Sequence, residues 1–426
     1  MGAVRRTASV TAIGLLVSML APAGPAHASL AHDSVVKADP ADFTPNVESD
    51  HSSTTTTVLA LARARGTIYA GGFFHTVADA EGTTTYRRDN LMAFSATTGQ
   101  MRPFAPDVNG KVWAVEERAG ALYVGGEFTS VNGVQRPGLV KLDASTGRVI
   151  TRFSPRFSRG QVTQVRMVGR RLVVGGTFPG KLRALNPRTG ADTGFIRLGI
   201  TGSVADNAGL TNVYRFTVNP SRTRLLAIGN FTSVGGVPRR QAFMLDLGGR
   251  RAKVDSWYYR PLRNQCRGRR TPAFLRGVDF SPDGRYFVVV AAGAVPRHRG
   301  LGRDICDAAA RFETHIAKPY RPTWINYTGG DTLHSVAVTG RAVYVQGHQR
   351  WLDNPLGRNN AGPGAVSRPG IGAIQPRTGM ALAWNPGKTR GVGGKDFLVT
   401  RAGLWVGSDG TQFAGEYRAR IAFCPL

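Results

Sequence analysis

Acid is scarce in this chain: 27 aspartates and glutamates stand against 55 lysines and arginines, for a formal net charge of +28. Cysteine is scarcer still, with only Cys266, Cys306 and Cys424, too few for a disulfide scaffold and without the spacing of a metal site. No apolar run after the first 28 residues is long enough to span a bilayer. Familiar catalytic signatures are missing too. There is no His-Glu-x-x-His, no Gly-x-Ser-x-Gly elbow and no phosphate loop, since Gly393-Gly394-Lys395-Asp396 has the wrong residue after lysine. These absences argue against a membrane-spanning protein, a zinc hydrolase and a nucleotide-phosphate enzyme, and predict no cofactor and no metal.

The start of the chain reads as a targeting segment. Arg5-Arg6 supplies a positive region, residues 10–20 an apolar one, and Ala26-His27-Ala28 a small-x-small cleavage site. Residues 1–28 are therefore expected to be a signal peptide, 29–40 a flexible leader and 41–426 the folded domain, exported and monomeric, either secreted or held at the cell wall. Leu426 closes no hydrophobic tail. Outside a cell, a strongly basic surface attracts anionic wall polymers or acidic glycans, and nucleic acid becomes an unlikely partner. The competing reading is arginine dispersed over solvated strand faces.

Residues 111–157 organise the rest. Four short apolar runs (112–115, 121–125, 138–142 and 149–153) are separated by turns at Ala119-Gly120, Asn132-Gly133 and Ser145-Thr146-Gly147, the pattern of a four-stranded antiparallel meander. The unit recurs. Tyr69-Ala70-Gly71-Gly72-Phe73-Phe74, Tyr123-Val124-Gly125-Gly126-Glu127-Phe128 and Val173-Val174-Gly175-Gly176-Thr177-Phe178 match one another, with a fourth copy over residues 225–231. Marked by Gly72, Gly126, Gly176 and Gly229, the steps are 54, 50 and 53 residues. A period of this length made of four strands predicts an all-β, single β-propeller. Seven units fit between residues 56 and 423. The stretch around Phe43 resembles the outermost strands of other units and is expected to complete the last one, closing the ring without a free edge.

In such a fold the connection leading into each unit and the loop between its second and third strands share one face. Cys266 and Cys306 fall on two such segments of the fifth unit and are expected to form a disulfide. It would hold together a basic cluster of Arg263, Arg267, Arg269, Arg270, Arg297, Arg299 and Arg303, a candidate anion site. A second candidate breaks the repeat: where other units carry Gly-Gly-x-Phe, the sixth has Gly347-His348-Gln349-Arg350-Trp351-Leu352-Asp353. Here His348, Arg350, Trp351 and Asp353, with Arg390 and Asp396 from the following connection, could make an aromatic platform ringed by polar groups, as carbohydrate sites need. His334 reads as a satisfied polar residue near the channel mouth and His75 as ordinary surface.

With these motifs in view, the chain resembles exported bacterial β-propellers of the Delta-60-repeat type, a domain of unknown function. The carrying residues are Tyr123-Val124-Gly125-Gly126-Glu127-Phe128-Thr129-Ser130-Val131-Asn132-Gly133 and Leu142-Asp143-Ala144-Ser145-Thr146-Gly147. Trp384-Asn385-Pro386 and Gly403-Leu404-Trp405-Val406-Gly407 are similar to the closing blades of actinobacterial members. The resemblance implies a fold and an exported setting, and no catalytic residue.

The reading favoured by the sequence is a non-enzymatic propeller that binds an anionic polymer or glycan on its upper face. One alternative is an enzyme. For a quinoprotein-like dehydrogenase, Asp143-Ala144-Ser145-Thr146-Gly147 begins the blade signature, but Thr151 stands where its tryptophan is required. A carbohydrate-active enzyme needs two carboxylates facing a cleft, for which Asp331, Asp353, Asp396 and Asp409 are the candidates. The other alternative is a protein-interaction scaffold.

Overall fold

A computed structural model describes residues 30–49, 56–157, 159–204, 209–268 and 273–426. The expected signal peptide, Arg269 and Arg270 lie outside these. The described chain is all-β. Beside five smaller sheets of two or three short strands, it is built around seven main antiparallel sheets in which strands pair in chain order. Their first two strands are Thr57–Ala64 and Thr67–Phe73, Val112–Arg118 and Ala121–Gly126, Val162–Val168 and Arg171–Gly176, Asn212–Val218 and Arg224–Asn230, Phe274–Phe280 and Tyr286–Ala292, Leu333–Val338 and Val343–Gly347, and Asp396–Thr400 and Gly403–Gly407. They are called sheets one to seven below.

Each sheet packs its first strand against the first strand of the next, and that of sheet seven meets that of sheet one. The apolar core is divided accordingly. Seven buried clusters each draw on two successive sheets; the one between sheets seven and one joins Val58, Leu61 and Ile68 to Trp405 and Phe423. The repeated glycines explain the close approach. A Cβ on Gly71 would stand 2.3 Å from Val112 Cγ1, one on Gly125 2.7 Å from Val162 Cγ1, and one on Gly407 3.0 Å from Val58 Cγ1. In sheets one, two, three and seven a glycine of the second strand is thus the socket for a valine of the following sheet, and any side chain there would overpack the contact.

Four strands per unit were expected throughout, but only sheets four and five carry a fourth strand, Lys253–Val254 and Trp324–Tyr327. In sheets one, two, three and six the outermost position is held by a single bridge, such as Phe94 to Met101 or Leu142 to Val149. Proline shortens one of these edges: Pro103 lies two residues beyond the Met101 bridge and has no N–H for a ladder. The Thr-Gly turns before them are as expected, with Gly99, Gly147, Gly190 and Gly379 all at φ between 68° and 79°.

The beginning of the described chain behaves differently from the flexible leader expected for 29–40. Val36 is buried and its N–H donates to the Tyr344 hydroxyl in sheet six, while His32 N–H donates to Thr339 O. Lys37 N–H and Ala41 N–H then donate to Pro425 O and Phe423 O along the edge of sheet seven, where the Phe43 ring lies 5.9 Å from that of Phe423. Asn46–Val47 finally pairs with Thr76–Ala78 of sheet one. The apolar Val35-Val36 pair gives this segment something to bury, which a solvated leader lacks. Arg420 secures the crossing: its guanidinium donates to Val47 O, Thr56 O and Ser49 Oγ.

Between second and third strands, five of the sheets insert a short hairpin, for example Ser130–Val131 with Val134–Gln135 and Trp351–Leu352 with Val366–Ser367. In sheets two and seven these hairpins bridge to the connection arriving from the preceding sheet, Val131 to Val108 and Phe413 to Lys388. Leading connections and second-to-third loops therefore meet, and the candidate residues lie on them.

Candidate functional site

The sixth-sheet candidates do come together, but around a residue placed elsewhere in the sequence reading. Asp331, in the connection leading into sheet six, is 5% exposed. Its carboxylate accepts from Arg350 Nε at 2.9 Å, Arg350 Nη2 at 3.2 Å, the Arg350 backbone N–H at 3.1 Å and Arg390 Nη2 at 3.3 Å. Arg390 Nε also donates to His348 O at 2.8 Å, and His348 Nδ1 donates to Gly391 O at 2.6 Å. The Arg350 guanidinium lies 4.4 Å from the centre of the Trp351 ring. The arrangement is a knot tying three connections together. Both guanidinium groups already have a carboxylate, so neither stands ready for a ligand.

Asp353 and Asp396 do not join this cluster. Asp353 accepts from Asn326 Nδ2 and from Ala381 N–H at 2.9 Å, pinning sheet five to the edge of sheet six. Asp396 faces inward and accepts from Leu61 N–H of sheet one at 2.8 Å; burial raises its pKa, with Arg215 and Arg166 opposing. Two other first-strand carboxylates do the same job: Glu116 accepts from Met167 N–H at 2.9 Å and Asp279 from Val338 N–H at 2.9 Å. Burial pushes Glu116 up to about 7 in spite of Arg166. Asp409 accepts from Val392 N–H and Gly393 N–H. The four carboxylates considered for glycoside chemistry are thus each engaged in holding backbone or arginine. Among the described residues no group of three or more His, Cys, Asp or Glu gathers as a metal site would require, and no helix is long and apolar enough to cross a membrane.

Cys266 and Cys306 form a disulfide, with Cα atoms 5.9 Å apart. Cys424 is buried and unpaired, and burial raises its thiol pKa, which removes it from thiolate chemistry. The bridge sets two basic segments side by side: Arg267 N–H donates to Val295 O, and Arg297 Nη2 to Gln265 Oε1. Arg263, Arg267, Arg297 and Arg299 are exposed. Arg303 differs, being paired with the buried Asp304 at 3.0 Å.

The larger feature of this region escaped the sequence reading. Outside the disulfide, a groove of about 850 Å³ runs between the connection into sheet five, the disulfide loop and the connection between the third and fourth strands of sheet five. Arg239, Arg260, Arg303, Lys318 and Arg321 line it, together with Tyr258, Tyr259 and Tyr320, and no carboxylate is among its lining residues. Arg260, Lys318 and Arg321 are exposed. The Tyr258 ring is backed by Arg239 at 5.2 Å, and the Tyr320 hydroxyl is bonded to Ser256 Oγ at 2.9 Å. Tyr259, buried, donates to Arg303 O at 2.7 Å and fixes the disulfide loop as one wall. The available signal was Tyr258-Tyr259-Arg260-Pro261 and Lys318-Pro319-Tyr320-Arg321-Pro322, two aromatic and basic runs with prolines.

Neither a protein-family model nor a curated protein matches the chain. Among solved structures, it is similar to the computationally designed Ika8 protein, with 11% identity over 89% of this chain and 99% of that one and a TM-score of 0.47.

Proposed function

We propose that this chain is an exported seven-bladed β-propeller of the Delta-60-repeat kind that binds an anionic polymer or acidic glycan, through the groove on the outer rim of sheet five. The propeller reading is supported by the cyclic packing of seven first strands and by the N-terminal stretch bridging sheets six, seven and one. The binding reading is carried by one observation: four cationic side chains besides the Asp304-paired Arg303, together with three tyrosines, line one groove with no carboxylate among its lining residues. Tyrosine faces give sugar rings or polymer backbones an amphipathic surface, and guanidinium groups pair with carboxylate or phosphate oxygens. The rim groove replaces the upper face as the binding surface, because the upper-face arginines are neutralised by Asp331.

Calorimetry of the purified protein with a poly(glycerol phosphate) chain, with polygalacturonate and with neutral dextran tests this. Binding to the two anionic polymers and not to dextran is expected, with a loss of at least tenfold in Arg260→Glu/Arg321→Glu. Tyr258→Ala/Tyr320→Ala should weaken binding severalfold even at high salt, where exposed charge contacts are screened. Equal binding of dextran, or unchanged binding by the charge-reversed variant, would overturn the assignment.

A further inference from the structure

The first strands enclose a second and smaller space, a cavity of about 90 Å³ lined from sheets three to seven, large enough for a few waters or one small oxyanion. Its wall is built where those strands are irregular. Bulges leave Arg276 as the extra residue between Leu275 and Gly277, and His334 between Leu333 and Ser335; a bulge redirects the side chain it carries.

Five basic groups, one from each of sheets three to seven, line this cavity: Arg166, Arg215, Arg276, His334 and Lys395. Three of them are satisfied. Arg166 pairs with the buried Glu116 carboxylate at 3.4 Å. Arg215 spans the space, donating to Gln164 Oε1 at 2.8 Å and to Lys395 O at 3.4 Å. His334 Nε2 donates to Val392 O at 3.0 Å, and burial, with Lys395 and Arg276 close by, holds its pKa down to about 3, so the ring is neutral. The other two are in no ion pair: among the described residues no carboxylate bonds to Arg276 or Lys395, and Asp409 acts on Lys395 only from a distance. Arg276 Nε is buried without a hydrogen-bond partner, and so is the hydroxyl of Ser335, itself 8% exposed. The carboxylates that line the cavity, Asp279 and Asp396, accept backbone N–H groups of sheets six and one. Buried polar groups are rarely left unpaired, and here the buried unpaired ones are the cationic Arg276 Nε and the Ser335 hydroxyl, both able to donate.

We propose that this cavity binds one tetrahedral oxyanion, inorganic phosphate or the end group of a phosphomonoester, held by Arg276, Lys395 and Ser335. Water would satisfy single hydrogen bonds but leave the charge uncompensated. A phosphate offers acceptors in every direction together with the missing negative charge. The site is separate from the rim groove and stands whether or not a polymer binds there.

Calorimetry of the purified protein with inorganic phosphate at constant ionic strength, and with glycerol phosphate beside it, reads the proposal. One saturable site is expected, weakened at least tenfold by Arg276→Gln and by Lys395→Gln and unchanged by Tyr258→Ala/Tyr320→Ala. Should the channel variants fail to fold, a crystal of the wild-type protein grown in phosphate decides: tetrahedral density between Arg276 Nε and Lys395 Nζ upholds the proposal. Density for water alone, or phosphate binding that survives both channel substitutions, overturns it.

Discussion

The Asp331 knot and the rim groove of sheet five are made from the same materials, arginine beside an aromatic ring, and differ in one respect. In the knot, a single buried carboxylate takes the guanidinium groups of Arg350 and Arg390, and the Trp351 ring packs under one of them. In the groove, Arg260, Lys318 and Arg321 extend into solvent beside Tyr258 and Tyr320 with no acid in the lining. Counter-charge, not residue type, separates the structural tie from the surface proposed for binding. In a chain with twice as many bases as acids, the places where an acid is present mark the ties.

Breaking the groove from its wall should have the largest effect. Removing the disulfide with Cys266→Ser/Cys306→Ser opens a loop of 40 residues, for which chain entropy predicts a loss of about 4 kcal/mol. Urea denaturation measures it, and polymer binding should fall with it because the bridge holds the wall that carries Arg303. A loss below about 1 kcal/mol would mean that Tyr259 and Asp304 hold the wall unaided.

The next test extends the comparison to a buried acid with only partial charge compensation. Glu116 titrates near 7 in the folded chain against an ordinary 4.5. Between those pH values the folded state keeps a proton that the unfolded state has released, so the stability present below pH 4.5 declines as pH rises through 7. The decline should be on the order of 2–3 kcal/mol at one kcal/mol or slightly more per pH unit. Glu116→Gln, which keeps an acceptor for Met167 N–H, should flatten the pH profile, and an unaltered slope would place the titration elsewhere.

Asp331→Asn strands two guanidinium groups that are each about a third exposed, so the cost should be about 2 kcal/mol, below that of a fully buried pair. Polymer binding by this variant should remain unchanged, or increase if the released arginines now reach the ligand. Trp351→Ala should matter least, by about 0.5–1 kcal/mol for a partly exposed cation–π contact, with no change in binding. A tenfold loss of glycan affinity in Trp351→Ala would restore the knot as a sugar site and collapse the distinction.

The period of the Gly-Gly motif was legible in the sequence because its two glycines make different close contacts, the first with the following sheet, as Gly71 does with Val112, and the second with backbone of its own sheet, as Gly72 does with Thr57 O. The disulfide was legible for a related reason: strand order alone puts Cys266 and Cys306 on connections that meet. Distance along the chain hid the rest. Asp331 lies 19 residues from Arg350 and 59 from Arg390, and nothing local shows that it would neutralise both. The groove joins Tyr258 to Tyr320 through connections flanking an entire sheet, one of them at a turn that the repeat pattern treats as mere spacing. Residues 30–40 were misjudged because polar and small residues outnumber Val35 and Val36 there, although those two suffice to dock the segment.

The crossing at residues 32–47 also bears on cooperativity. Thr44 Oγ1 donates to Ile421 O across 377 positions of sequence, and Arg420 grips the far side. Linear repeat arrays can fray from either end, one module at a time. Here residues 32–47 and the last strand of sheet seven brace each other, so neither is available as a starting point for unzipping, and the sheets should melt in a single step. Such long-range docking also slows assembly, since the final module has no edge partner until the opening residues return to it.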